Sequence, residues 1–330
     1  MTEIEIVASE AKKPATTTML MGSTLVLVGR AIALVMAFFL IRAAILAGPT
    51  VFSSAQPIAI ATLLIAAAFA RRSAATMLAI GYVMMFLCFL LLRPIADETV
   101  IPVHYDFPIL ADQIMFLGAL PMVWLQDVFY VPGRITPLDF VLSSVYVTYF
   151  VAPHLTAVIV WRTRPSLFPK AIVAISLTFI IGLFFYFAVP TAPPWLASDT
   201  GDIDSNVVRI LPEIISQLAG DTYDEASRAV GQNDVAAMPS LHTALTCTIA
   251  LIMASYGRAW RWVGITYLAL MGTALVYLGE HYVIDEIAGI ALAIGVWKLV
   301  STHRMFAGLS RNPESDDEKL PDVTAGSRAA

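Results

Sequence analysis

Five histidines occur in this chain of 330 residues, and two of them sit where side chains can do chemistry. His242 closes the run Met238-Pro239-Ser240-Leu241-His242, and His281 belongs to Glu280-His281-Tyr282-Val283-Ile284-Asp285. Each lies at the edge of a long apolar stretch. They are 39 residues apart (281 − 242), enough for one hairpin of two membrane-spanning helices. A titratable group at a membrane edge is costly unless it has a partner or a task. Asp285 follows His281 by four positions, which on a helix brings their Cβ atoms to about 5–6 Å. A carboxylate there accepts the proton of one imidazole nitrogen, fixes the tautomer and leaves the other nitrogen free to attack. Such spacing is also common in structural pairs. Proline suits the first position of a helix. Behind Pro239, unpaired backbone N–H groups at the positive end of the helix dipole would form an anion site. Ser240 would add a hydroxyl donor, and His242 could protonate a leaving oxygen. Taken singly this motif reads equally well as a capped helix start with a buried histidine. The two motifs together favour a catalytic pair.

The elements that must hold this pair are membrane helices. The chain is 58% hydrophobic and 14% charged, with mean hydropathy +0.76, against roughly half apolar and a quarter charged in soluble domains. A helix needs roughly 20 apolar residues to cross the hydrocarbon layer. Eight stretches qualify as candidates: 20–47, 53–70, 74–92, 137–161, 171–189, 239–256, 261–278 and 282–301. The expectation is therefore an all-α integral membrane protein, a polytopic bundle of about eight transmembrane helices. Arg71 and Arg72, Arg162 with Arg164 and Lys170, Arg258 with Arg261, and Lys298 with Arg304 and Arg311 mark four cytoplasmic positions. They alternate correctly for eight spans with both termini inside. Both histidines then fall on the outer side, where the loop 190–238 is rich in acidic residues. Residues 1–18 and 304–330 read as disordered cytoplasmic tails and 19–303 as the membrane domain, with a catalytic core over about 106–300. The net charge of −5 argues against nucleic acid as a partner. Cys88 and Cys247 lie inside apolar runs and do not suggest a disulfide framework.

At Pro190-Thr191-Ala192-Pro193-Pro194-Trp195, three prolines stop the preceding helix, and Trp195 suits an interfacial aromatic belt. Together with Pro239-Ser240-Leu241-His242 and His281-Tyr282-Val283-Ile284-Asp285, this run resembles the type 2 phosphatidic acid phosphatase superfamily. The nearer likeness is to its inositol phosphorylceramide synthase-like branch of inositolphosphotransferases. Asp112, Phe116, Gly118, Pro121 and Trp124-Leu125-Gln126 resemble an upstream signature of that branch's bacterial relatives.

The resemblance implies a six-helix core and a site needing no metal or other cofactor. It implies His281 as a nucleophile forming a phosphohistidine, Asp285 as its orienter and His242 as acid, then base. Ser240 and neighbouring N–H groups would hold the phosphoryl oxygens, with Pro193, Pro194 and Trp195 bordering the substrate. The expected substrate is a phospholipid or polyprenyl phosphate in a bacterial plasma membrane, with the site facing outward. The phosphatases carry a Lys and an Arg-Pro pair where this chain has Phe185 and Ala192-Pro193, and an Arg where it has Leu275. That departure favours transfer of a phospho-headgroup, such as inositol phosphate, over hydrolysis. It leaves Arg134, Arg209 and Arg228 as candidates for the phosphate charge. A lipid phosphate phosphatase, a lipid transporter without chemistry and a metal hydrolase ligated by His242, His281 and Asp285 are the competing readings. His104, His154 and His303 read as structural, with His154 expected to meet a neighbouring helix carbonyl. The segment between Arg93 and Pro137 reads as amphipathic helices along the outer surface, covering the site.

Overall fold

A computed structural model describes residues 74–96, 100–219 and 233–302. The two N-terminal candidate spans, both tails and Arg228 lie outside these residues. Eleven α-helices occur among the described residues. They are α1 (Ala74–Leu92), α2 (Asp106–Met115), α3 (Pro121–Phe129), α4 (Pro137–Thr148), α5 (Ala152–Thr163) and α6 (Phe168–Ala188). Then come α7 (Pro194–Thr200), α8 (Ile210–Ala219), α9 (Leu241–Ala254), α10 (Arg258–Tyr277) and α11 (Val283–Thr302). Three stretches, Met77–Ile95, Phe168–Ala188 and Arg258–Tyr277, are long and apolar enough to cross a membrane among the described residues. A fourth span arises if α4 and α5 are taken together.

Those two helices meet at a 55° bend, where the sequence suggests one continuous span over 137–161. Pro153 explains the break. It has no N–H to donate, and its ring would clash with the carbonyl four residues back, that of Tyr149, just beyond the end of α4. The span expected over 239–256 is also shorter than drawn. Helix α9 has 14 residues, a rise of about 21 Å, against roughly 30 Å of hydrocarbon. Its first residue, Leu241, is fully buried in the core of the bundle.

Helix α9 is the hub, packed against α10, α11, α6 and α5. Leu241, Ala244, Leu245 and Ile252 from α9 share one core with Ile172, Ile175 and Phe179 of α6. A second core joins Leu142 and Tyr146 of α4 to Ile210 and Ile214 of α8 and Met271, Ala274 and Leu275 of α10. Large apolar side chains such as Val83, Phe184, Trp260 and Ile294 face outward, as expected where lipid is the solvent. Helix α11 crosses the start of α9 closely at Gly289. A Cβ there would stand 2.5 Å from the Ser240 carbonyl oxygen and 3.2 Å from the Ala244 nitrogen. This contact brings the His281 helix against the His242 helix.

The short helices α2 and α3 match the amphipathic segment expected between Arg93 and Pro137. Each buries one polar residue, Asp112 and Gln126, and exposes an apolar face that includes Leu110, Ile114, Trp124 and Val128. His154 bonds the Tyr82 hydroxyl of α1 at 2.6 Å rather than a helix carbonyl.

Candidate active site

Helix α10 ends at Tyr277 and the chain turns back through Gly279, at φ 77°, into α11. A side chain at Gly279 would be strained and would press a Cβ to 2.8 Å from the Val208 carbonyl. The turn is held by the Glu280 and His281 N–H groups, both donating to the Leu275 carbonyl at 3.0 and 3.3 Å. This places His281, 4% exposed, at the floor of a cleft.

Asp285 is fully buried one turn into α11. Its Oδ2 accepts the Tyr282 N–H at 3.0 Å and lies 3.4 Å from His281 Nδ1. That partner puts the His281 proton on Nδ1 and leaves Nε2 with a free lone pair. Nε2 lies 3.3 Å from His242 Nδ1, which is then the donor between the two rings. His242 Nε2 is buried without a partner among the described residues. Tyr146 and Tyr149 flank the His242 ring, with centroids 4.7 and 4.0 Å away. Tyr146 lies in the last turn of α4 and Tyr149 is its C-cap, directly before the break.

Backbone bonds fix the two motifs to each other. The Ser240 N–H donates to the Asp285 carbonyl at 3.0 Å, so the start of α9 hangs on the residue that orients His281. Pro239 does not occupy the first helical position as the sequence suggests. Ser240 is the cap, and Pro239 precedes it. The Ser240 hydroxyl is buried, accepts the Thr243 N–H at 3.3 Å and donates to the Thr243 hydroxyl at 3.3 Å. It is spent on the helix start and does not border the cleft.

The cleft is partly open to the outside. His281, His242, Pro193, Trp195, Tyr186 and Glu280 border it, and Arg93 and Arg209 supply its cations. Of the anticipated substrate residues, Pro193 and Trp195 reach it. Pro194 is buried as the first residue of α7. Of the anticipated cations, Arg209 lines the cleft, whereas Arg134 lies in the α3–α4 turn and does not. Arg93 was not among them. Its only sequence signal is its place, a lone arginine at the end of an apolar run.

Arg209 lies across the Glu280 carboxylate, Nε to Oε1 at 2.9 Å and a terminal nitrogen to Oε2 at 3.3 Å. Its guanidinium stacks 4.7 Å from the Trp195 ring centre. Although burial works against its charge, Glu280 holds its pKa above the ordinary value. The strand of chain carrying it is strapped down by Gln126. The Gln126 amide donates to the Val208 and Tyr277 carbonyls at 2.8 and 2.9 Å and accepts the Val208 N–H at 2.9 Å. Asp112 does the same for α11, accepting the Val283 and Ile284 N–H groups at 3.0 Å each. Both residues come from the upstream signature, which thus positions the site without entering the cleft.

Among the described residues, no cluster of three or more His, Cys, Asp or Glu side chains is arranged to hold a metal ion.

A family model described as the PAP2 superfamily matches residues 118–299. A phosphoinositol dihydroceramide synthase from Bacteroides thetaiotaomicron is 32% identical over 128 residues, covering 36% of this chain and 40% of that protein. The chain thus aligns with less than half the length of that relative. No solved structure matches the chain at a significant level.

Proposed function

The chain belongs to the PAP2 superfamily, on its inositol phosphorylceramide synthase-like branch, and from that premise we propose that it is a membrane-embedded phosphotransferase. It moves a phospho-headgroup, of the inositol phosphate kind, from one lipid to the hydroxyl of another through a phosphohistidine at His281. The observation that carries this reading is the line from buried Asp285 through His281 to His242, both histidines bordering one cleft with two arginines.

The chemistry follows from that alignment. A donor phosphorus entering between the two imidazoles takes the place of their 3.3 Å contact. His281 Nε2 attacks it, forming a P–N bond, while the P–O bond to the donor lipid breaks. His242, entering as imidazolium, gives its proton to the departing oxygen. Asp285 stabilises the positive charge that develops on His281. In the second half the acceptor hydroxyl loses its proton to His242, its oxygen attacks phosphorus, and the P–N bond breaks. The product is the transferred phosphodiester, and both histidines return to their starting states. Arg93 and Arg209 counter the charge on the phosphoryl oxygens.

The cleft's apolar approach favours a lipid acceptor over water. The exposed faces of α2 and α3 and the rings of Trp195, Tyr186 and Phe150 would lie along the path of an acyl chain. The positions where the phosphatases carry cations give none here. Leu275 is fully buried in the second core, and Phe185 is half-exposed on α6 outside the cleft. The name of the Bacteroides relative agrees with transfer to a ceramide-type acceptor.

The deciding experiment follows products in membranes supplied with head-group-labelled phosphatidylinositol and ceramide or diacylglycerol. Label moving intact to the second lipid, and lost in His281→Ala, is the expected result. Label released only as water-soluble phosphate would move the protein to the phosphatase reading.

A further inference from the structure

We propose that Arg93 is the residue that grips the phosphoryl oxygens in this site, a binding role delivered from a helix outside the family-matched segment 118–299. This rests on the phosphotransfer reading above and names the group that takes the phosphate charge. Arg93 opens a 3-10 turn, Arg93–Ile95, at the end of α1, where Pro94 stops the apolar helix. It borders the cleft beside His242 and His281. His242, Tyr146, Tyr149 and Tyr186 line the same cleft.

Three observations single it out. Arg209, the other cation of the cleft, already lies on the Glu280 carboxylate and the Trp195 ring. Arg93 makes no ion pair among the described residues. By the loop charges it stands at the outer end of its span, where the positive-inside rule places arginine least often and where a lone charge needs a task.

Its position is also set by the site's own scaffold. The Arg93 carbonyl accepts the Asn233 side-chain N–H at 2.9 Å, and Asn233 Oδ1 accepts the Val235 N–H at 3.0 Å. Thr191 donates to the Val235 carbonyl at 2.8 Å and accepts the Ala237 N–H at 3.2 Å. That short lattice runs directly into Pro239, Ser240 and His242. Arg93 is therefore registered against the proton donor by bonds, and its planar fork suits two non-bridging phosphoryl oxygens.

The test uses the full chain in detergent micelles and orthovanadate, a phosphate mimic, with binding measured by equilibrium dialysis. Arg93→Gln should bind orthovanadate about 10–100-fold more weakly, as expected for loss of a charge-assisted contact. Arg93→Lys should fall between, and Arg134→Gln, outside the cleft, should match the wild type. As a check that needs no variant to fold, phenylglyoxal modification of Arg93 in the wild type is mapped by mass spectrometry. Orthovanadate should protect Arg93. Equal affinity in a folded Arg93→Gln, or modification unchanged by orthovanadate, overturns the assignment while leaving phosphotransfer intact. A wild type that binds no orthovanadate overturns the phosphate reading of the cleft together with it.

Discussion

Replacing Asp285 by Asn tests the geometry with the least change in shape. Asp285 is fully buried, and its Oδ2 faces His281 Nδ1 at 3.4 Å while taking the Tyr282 N–H at 3.0 Å. Both contacts fall on Oδ2, so the amide either keeps its oxygen there as a neutral, weaker acceptor for the His281 Nδ1–H, or sets its NH₂ there and gives up the Tyr282 bond. In the second arrangement Nδ1 becomes an acceptor, the ring proton moves to Nε2, and the lone pair that attacks phosphorus is gone. Loss of the charge-assisted bond alone costs about 1.5–3 kcal/mol, or roughly 10–150-fold in rate. Tautomer reversal in the comparable Asp-His pair of a serine protease brings the loss to about 10⁴-fold. The turnover number of Asp285→Asn should therefore fall by about 10-fold to 10⁴-fold, the upper end marking tautomer reversal. The assay is headgroup transfer between labelled lipids in mixed micelles, across a range of donor concentrations. More than about a tenth of wild-type turnover in a folded Asp285→Asn would refute the role given to this carboxylate.

Further expectations follow from neighbouring contacts. Gly289→Ala puts a Cβ 2.5 Å from the Ser240 carbonyl oxygen. It should destabilise by about 1–3 kcal/mol, typical of overpacking, and lower both melting temperature and turnover. Glu280→Gln removes the carboxylate facing Arg209 and adds one positive charge to the cleft. The ratio of phosphate release from dianionic phosphatidate to headgroup transfer from a phosphodiester should rise. Burial raises the Asp112 carboxyl to about 6, against the opposing pull of the Val283 and Ile284 N–H groups. A carboxyl raised above its unfolded value holds its proton longer when folded, so its contribution declines as pH rises from about 4 to about 6. The melting-temperature difference between wild type and Asp112→Asn should shrink over that window, and a difference that widens would contradict the assignment.

The parts of this site that could be read from the chain are those set by local spacing. His281 and Asp285 are one turn apart on any helix, and the loop charges place His242 and His281 on one side, so their meeting was legible. The roles of Ser240 and Pro239 were not. Whether a hydroxyl caps its own helix or faces a ligand depends on one rotation, which neighbours such as Thr243 decide. Pro153 was visible, but its effect on a span over 137–161 depends on the clash with the Tyr149 carbonyl and on packing against α6 and α9. Arg93 is not legible from the sequence because it lies 149 positions from His242 (242 − 93) and outside every motif. Only the folded chain, through Asn233, brings it alongside. Asp112 and Gln126 drew attention by resemblance, and the structure gives them a physical task as clamps on α11 and on the Arg209 segment.

The central claim is that His281 carries the phosphoryl group between two lipids. The most direct measurement mixes the full chain with phosphorus-labelled donor lipid in the absence of acceptor, quenches in alkali and maps the adduct by mass spectrometry. An acid-labile, alkali-stable phosphate on the peptide containing His281, absent from His281→Ala and discharged by adding acceptor lipid, is the predicted result. Turnover in the wild type with no adduct on His281, or undiminished turnover in His281→Ala, would contradict it.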